Sequence, residues 1–248
     1  MPVDMSVNGK EPVAAWCPSL DTSGNGTTTL TDLVGSNNGT LTNMDAATDW
    51  VADTGAGGVR ALDFDGVNDY VGASDTAMPE GAAPRAFSLW VKGTGPTAFK
   101  YGTELSGRRV SISAGSSVAV AVNGHNYGKA LTPDSDWHHI VVVFPEGATT
   151  SDQWLIYHDG VQLTGLINLA GSPRTVNTVL SGNVFFASNG DAIYDSCVLD
   201  DVRIWDQSLD ATDVAALYAG GLGRGVQPAT GNPAGILQLN TQSMRLGL

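Results

Sequence analysis

Basic residues are few in this chain: 12 Lys and Arg stand against 25 Asp and Glu, a formal net charge of −13 at pH 7. No cluster of cations is available to neutralise phosphates, which excludes a nucleic-acid groove. No apolar run approaches the ~20 residues of a membrane-spanning helix, so membrane insertion is not expected. The N-terminus has no basic segment followed by an apolar stretch. A Sec-type signal peptide is therefore not expected, and the sequence implies synthesis in the cytoplasm. With only Cys17 and Cys197 there is no disulfide scaffold, and their spacing alone makes no zinc site. A Gly-x-Ser-x-Gly elbow, a phosphate-binding loop and a His-Glu-x-x-His motif are all missing. His138 and His139 are adjacent, and neighbours on a strand point to opposite faces, so this pair cannot jointly chelate a metal.

What is abundant is glycine, with 31 residues, and aspartate, the carboxylate that turns prefer. Short stretches of alternating apolar and polar residues recur at 13–16, 61–64, 86–91, 110–112, 118–122, 137–144, 153–158, 184–187 and 196–205. Period two, bounded by Gly, Asn, Asp and Pro, predicts antiparallel strands. Asp65-Gly66, Asn123-Gly124 and Asp159-Gly160 mark turns, the last of them the clearest hairpin. One helix is expected after Trp205, with Asp210 as its N-cap, Asp213 three residues on, Val214, Leu217 and Tyr218 on one face, and Gly220-Gly221 at its end. From 222 to 248 the chain carries Arg224 and Arg245 and no Asp or Glu, first rich in Gly and Pro and then apolar, which predicts an arm that engages a partner.

Five segments in this order resemble the laminin-G-like, concanavalin A-like jelly rolls found in bacterial surface and virus-associated proteins. They are Leu20-Asp21-Thr22-Ser23-Gly24-Asn25-Gly26 with Asn38-Gly39-Thr40-Leu41; residues 61–71 around Asp63-Phe64-Asp65-Gly66; Phe87-Ser88-Leu89-Trp90-Val91; residues 137–143; and residues 199–205 with the helix that follows. The resemblance implies an all-β, two-sheet antiparallel sandwich over residues 13–221, preceded by an N-terminal extension, 1–12, and followed by the arm, 222–248. It also implies that the first and last strands are neighbours, which would bring Cys17 and Cys197 within disulfide reach.

Relatives of this fold that hydrolyse glucans resemble one another in a Glu-x-Asp-x-Glu strand motif, because one carboxylate attacks while another protonates. Here Glu11, Glu80, Glu104 and Glu146 are remote from one another. Asp63 and Asp65 could form such a pair, but they also match the family's ordinary strand and turn. Many laminin-G-like domains bind calcium through oxygen ligands, and Asp21 and Asp200 are the candidates. If Val202 and Ile204 face the core, parity places Asp200 inward too, where it needs a cation or hydrogen-bond partners such as backbone N–H groups or Arg60. For a glycan the available rings are Tyr101, His125, Tyr127 and Tyr194. Three functional expectations follow. The first is a non-enzymatic recognition module on a particle, such as a virion decoration, fibre or adhesion protein, assembled through the arm; location on the particle, or export by a non-Sec route, goes with it. The second is a carbohydrate-binding lectin module, acting on surface glycans with or without calcium. The third is a glycoside hydrolase.

Overall fold

The computed structural model describes residues 4–52, 60–93, 98–103, 109–122, 124–132, 134–188 and 194–220. The arm expected at 222–248 lies outside the described residues. Two antiparallel sheets face each other. The eight-stranded sheet runs Val161–Gln162, Leu155–His158, Trp137–Phe144, Arg85–Gly93, Ser196–Trp205, Arg60–Asp65 and Trp50–Ala52, with Ala14–Trp16 also paired to Ser196–Trp205. The nine-stranded sheet runs Ile167–Gly171, His125–Ala130, Ser117–Val122, Val110–Ala114, Phe99–Tyr101, Val184–Phe186, Tyr70–Ala73, Gly39–Thr42 and Thr29–Leu30. The first and last strands are neighbours, as the resemblance implied: Ala14 pairs with Ile204 and Trp16 with Val202.

Alternation sets the two faces of each strand. Phe87, Leu89 and Val91, opposite Ile140 and Val142, enter the central core, while Ala86, Val141 and Val143 turn outward. Aromatic rings bridge the sheets: Phe87 lies 5.4 Å from Phe99, and Trp16 meets Phe186 edge-on at 5.1 Å. Burying each such ring contributes about 1.5–3 kcal/mol. The outer face of the eight-stranded sheet is apolar as well, and the helix Ala211–Gly220 covers it through Val214 and Leu217. Residues 4–12, expected as an extension, pack onto this body, with Met5 and Val7 fully buried.

The helix begins as the sequence predicts. Asp210 Oδ1 accepts from the N–H groups of Thr212 and Asp213, and Asp213 Oδ2 accepts from the Asp210 N–H in return. Asp213 also takes the Lys10 ammonium at 2.6 Å, tying residues 4–12 to the helix start. At the Asp159-Gly160 turn both residues have positive φ, 51° and 77°, the conformation of a tight hairpin, and Tyr157 pairs with Gln162 across it. No helix among the described residues is long and apolar enough to cross a membrane.

One strand departs from simple alternation. In Ser196–Trp205, Cys197 and Leu199 face the core, and so do Val202 and Ile204. The parity changes because the register shifts between Asp200 and Arg203, where Asp201 adopts φ 51°. This is a β-bulge: one extra residue re-aims the side chains around it.

Candidate functional site

Where the edges of the two sheets approach each other, an open cleft of about 410 Å³ is lined by Tyr127, Asp152, Gln153, Gln162, Thr164 and Leu166 among others. Tyr127 comes from the strand His125–Ala130, near the edge of the nine-stranded sheet; Gln162 comes from the last strand of the other. Asp152, Gln153 and Gln162 are exposed, and Tyr127 is half-buried against the core. Gln153 is held in place, because its Oε1 accepts from the N–H groups of Thr149 and Thr150 and from the Thr150 hydroxyl. A ring beside several neutral amides and hydroxyls can cover the apolar face of a polyol while exchanging hydrogen bonds with its hydroxyl groups.

Of the four rings the sequence offered, only Tyr127 lines this cleft. His125 stacks behind it at 6.1 Å and is buried, its Nδ1 2.7 Å from Ser151 Oγ and its Nε2 2.9 Å from Asn168 Oδ1. Tyr101, expected on an exposed loop, is instead fully buried. Its hydroxyl accepts from the Arg85 guanidinium and donates to the Pro79 carbonyl, and burial raises its pKa. Arg85 gives its other hydrogen bonds to the carbonyls of Pro79, Glu80, Gly81 and Ala83, so Tyr101 braces a loop. Tyr194 belongs to a separate half-buried group on the outer face of the nine-stranded sheet, 6.1 Å from Tyr70, which in turn lies 6.0 Å from Phe185. The polar members of the cleft were not singled out from sequence. They sit on turns and short edge strands, distant in the chain from Tyr127, and exposed Gln or Thr carries no periodic signal.

Both calcium candidates are buried, and both are surrounded by donors. Asp21 Oδ1 accepts from the N–H groups of Ser23 and Gly24, and Oδ2 from that of Thr31 at 2.6 Å. Asp200 accepts from the Ser19 hydroxyl and the Asp201 N–H, with Cys17 Sγ 3.4 Å away. N–H and O–H groups of the chain itself thus satisfy both carboxylates. The bulge also corrects the parity argument: Asp200 pairs with Trp90 on the outer side of its sheet, and Ser19, rather than the Arg60 side chain, satisfies it. Burial, and next the repulsion of Asp201, push the Asp200 carboxyl up to about 7.

The two cysteines are free and buried, and the strand pairing places them outside the disulfide reach that the resemblance implied. Trp16 pairs with Val202, so Cys17 sits beside the bulge, about four residues or roughly 13 Å along the strand from Cys197. They also lie on opposite faces. Cys197 is in the central core, and Cys17 packs with Met5 and Ala15 outside it. The acidic pair considered for hydrolysis is placed by turn chemistry: Asp65 Oδ1 accepts from the Val67 N–H at 2.7 Å, and Asp63 is exposed. Partial loss of hydration, with the charges of Asp49 and Asp65, raises the Asp63 carboxyl.

Comparisons with known proteins agree with this architecture. Among solved structures, domain 4 of a GH43 extracellular arabinanase from Geobacillus stearothermophilus, determined with arabinotriose, is similar at 16% identity and a TM-score of 0.57, over 84% of this chain and 98% of that one. An HCR/D structure is similar at 11% identity and a TM-score of 0.57, and a Trypanosoma rangeli sialidase at 14% and 0.50. These cover 86% and 84% of this chain, which spans 52% and 32% of theirs, about half and a third of their lengths. At such identities the likeness is one of fold. A search of curated protein sequences finds no match. A laminin-G-like family model, described as the concanavalin A-like lectin/glucanases superfamily, matches residues 64–215, more than half of the chain. The chain therefore belongs to the concanavalin A-like lectin/glucanase superfamily.

Proposed function

We propose that this protein is a non-catalytic recognition module that binds carbohydrate in the cleft beside Tyr127. The observation that carries the reading is the composition of that cleft: one tyrosine ring among Asp152, Gln153, Gln162 and Thr164, in a volume suited to a small glycan segment. The similar arabinanase domain, determined with arabinotriose, supports the same ligand class. Against hydrolysis stands the acid count, since a glycosidase needs two carboxylates across the scissile bond and Asp152 is the lone acid among the described residues that line the cleft. Calcium has no part in this reading, because the Asp21 and Asp200 carboxylates already accept hydrogen bonds from the chain itself.

A glycan array, followed by calorimetry with the best ligand and with arabinotriose, tests the proposal. Tyr127→Ala and Gln162→Ala are expected to weaken binding at least tenfold, Tyr70→Ala to leave it unchanged, and added calcium to have no effect. No binding to any glycan would end the carbohydrate reading, and loss confined to Tyr70→Ala would move the site to the outer face of the nine-stranded sheet.

The composition of residues 222–248 favours a second element: display on a particle such as a virion or cell-surface fibre, with this arm as the assembling segment. The arm has no acidic residue, while the whole chain carries a charge of −13. Removing 222–248 is expected to abolish oligomers on a sizing column while leaving glycan binding intact. A monomeric full-length chain would contradict it.

A further inference from the structure

At one end of the sandwich the strands Trp137–Phe144 and Leu155–His158 bring together side chains that their sequence positions did not connect. His138 and His139 do point to opposite faces. His139 is buried beside Trp90 and Tyr218, where burial holds it down to about 3. His138 turns the other way and meets His158 across the hairpin, the two rings 4.5 Å apart. Asp159, in the turn, completes the group: its Oδ2 is 2.9 Å from His138 Nδ1 and 3.2 Å from His158 Nδ1. One ligand atom from each of the three lies within 4.8 Å of the others. Ligands of a tetrahedral zinc ion at bond lengths of ~2.0–2.1 Å stand about 3.3 Å apart, so small side-chain rotations would accommodate an ion.

Neighbouring groups orient these side chains. His138 Nε2 lies 2.9 Å from Asp134 Oδ1, a carboxylate that fixes the ring with Nδ1 turned toward Asp159. The other oxygen of Asp159, Oδ1, accepts from the His139 N–H at 2.9 Å, which orients the carboxylate. Asp134, His138 and His158 line a cavity of about 150 Å³, opposite Gly115 and Leu131, that leaves room for a fourth ligand.

We infer that His138, His158 and Asp159 form a binding site for a borderline-soft divalent cation of the zinc class, with Asp134 as the positioning residue and one coordination position open to the cavity. Two imidazoles and one carboxylate select zinc, cobalt or nickel over calcium, whose ligands are oxygens. The site is separate from the carbohydrate cleft.

Calorimetric titration of the full, tag-free chain with Zn²⁺, and absorption spectroscopy with Co²⁺, test the inference. One equivalent is expected to bind, with the intense visible bands of four-coordinate cobalt. His158→Gln and Asp159→Asn should each weaken binding by a hundredfold or more, Asp134→Asn by about tenfold, a typical effect of losing such a partner, and His125→Gln not at all. Asn tolerates the left-handed conformation of Asp159, and unchanged circular dichroism of the metal-free variants confirms their folding. Absence of stoichiometric binding, or binding that survives both His158→Gln and Asp159→Asn, would overturn the inference.

Discussion

Arg203 and Asp201 form a two-pronged pair on the outer side of the eight-stranded sheet, Nε 2.6 Å from Oδ1 and Nη2 2.7 Å from Oδ2. Both are buried, and Arg203 Nη1 also donates to the Met5 carbonyl. Removing the carboxylate takes the two-pronged partner from a buried guanidinium, and breaking a buried pair typically costs about 3–5 kcal/mol. Asp201→Asn is therefore expected to lower the urea midpoint strongly, while the double variant Asp201→Asn/Arg203→Met recovers part of the loss. Equal destabilisation by the single and double variants would show that the pair is not coupled.

Asp200, next in the chain, imposes a pH dependence. Its carboxyl titrates near 7 in the folded protein and near 3.8 when unfolded. Below 3.8 both states are protonated; between 3.8 and 7 the unfolded chain has lost a proton that the folded chain keeps. Stability from this group falls as pH rises through that window, by at most about 1.4 kcal/mol per pH unit. Asp200→Asn can keep the bonds from the Ser19 and Asp201 N–H groups and should flatten this slope, as measured by denaturant unfolding from pH 4 to 8. An unchanged slope would refute the assignment.

The cysteines offer a third check. Burial raises both thiols above their usual range, and thiolates are the reactive form. Native protein should react with a thiol reagent at far less than one equivalent, and unfolded protein with two. Reductant should leave the melting temperature unchanged. Finding no reactive thiol after unfolding would mean that a bridge forms after all.

Where local chemistry decides the structure, the sequence was readable. Residues 137–144 and 196–205 alternate as strands and are strands, Asp159-Gly160 turns as a two-residue hairpin must, and Asp210 and Asp213 cap the helix reciprocally. What escaped was set by contacts between distant segments. Nothing at Asp201 announces a left-handed residue, as a glycine would, so the side taken by Asp200 was misjudged. Tyr101 reads as a loop ring because the partner that satisfies its buried hydroxyl, Arg85, stands sixteen residues earlier. In the sequence His138 has only His139 beside it, since its partner His158 arrives through the pairing of Ile140 with His158.

Lys10 and Asp213 join the beginning and the end of the body on one side, where Met5, Val7 and the helix cover the eight-stranded sheet. Residues 4 and 220, the first and last described, therefore stand on that side of the body and away from the outer face of the nine-stranded sheet.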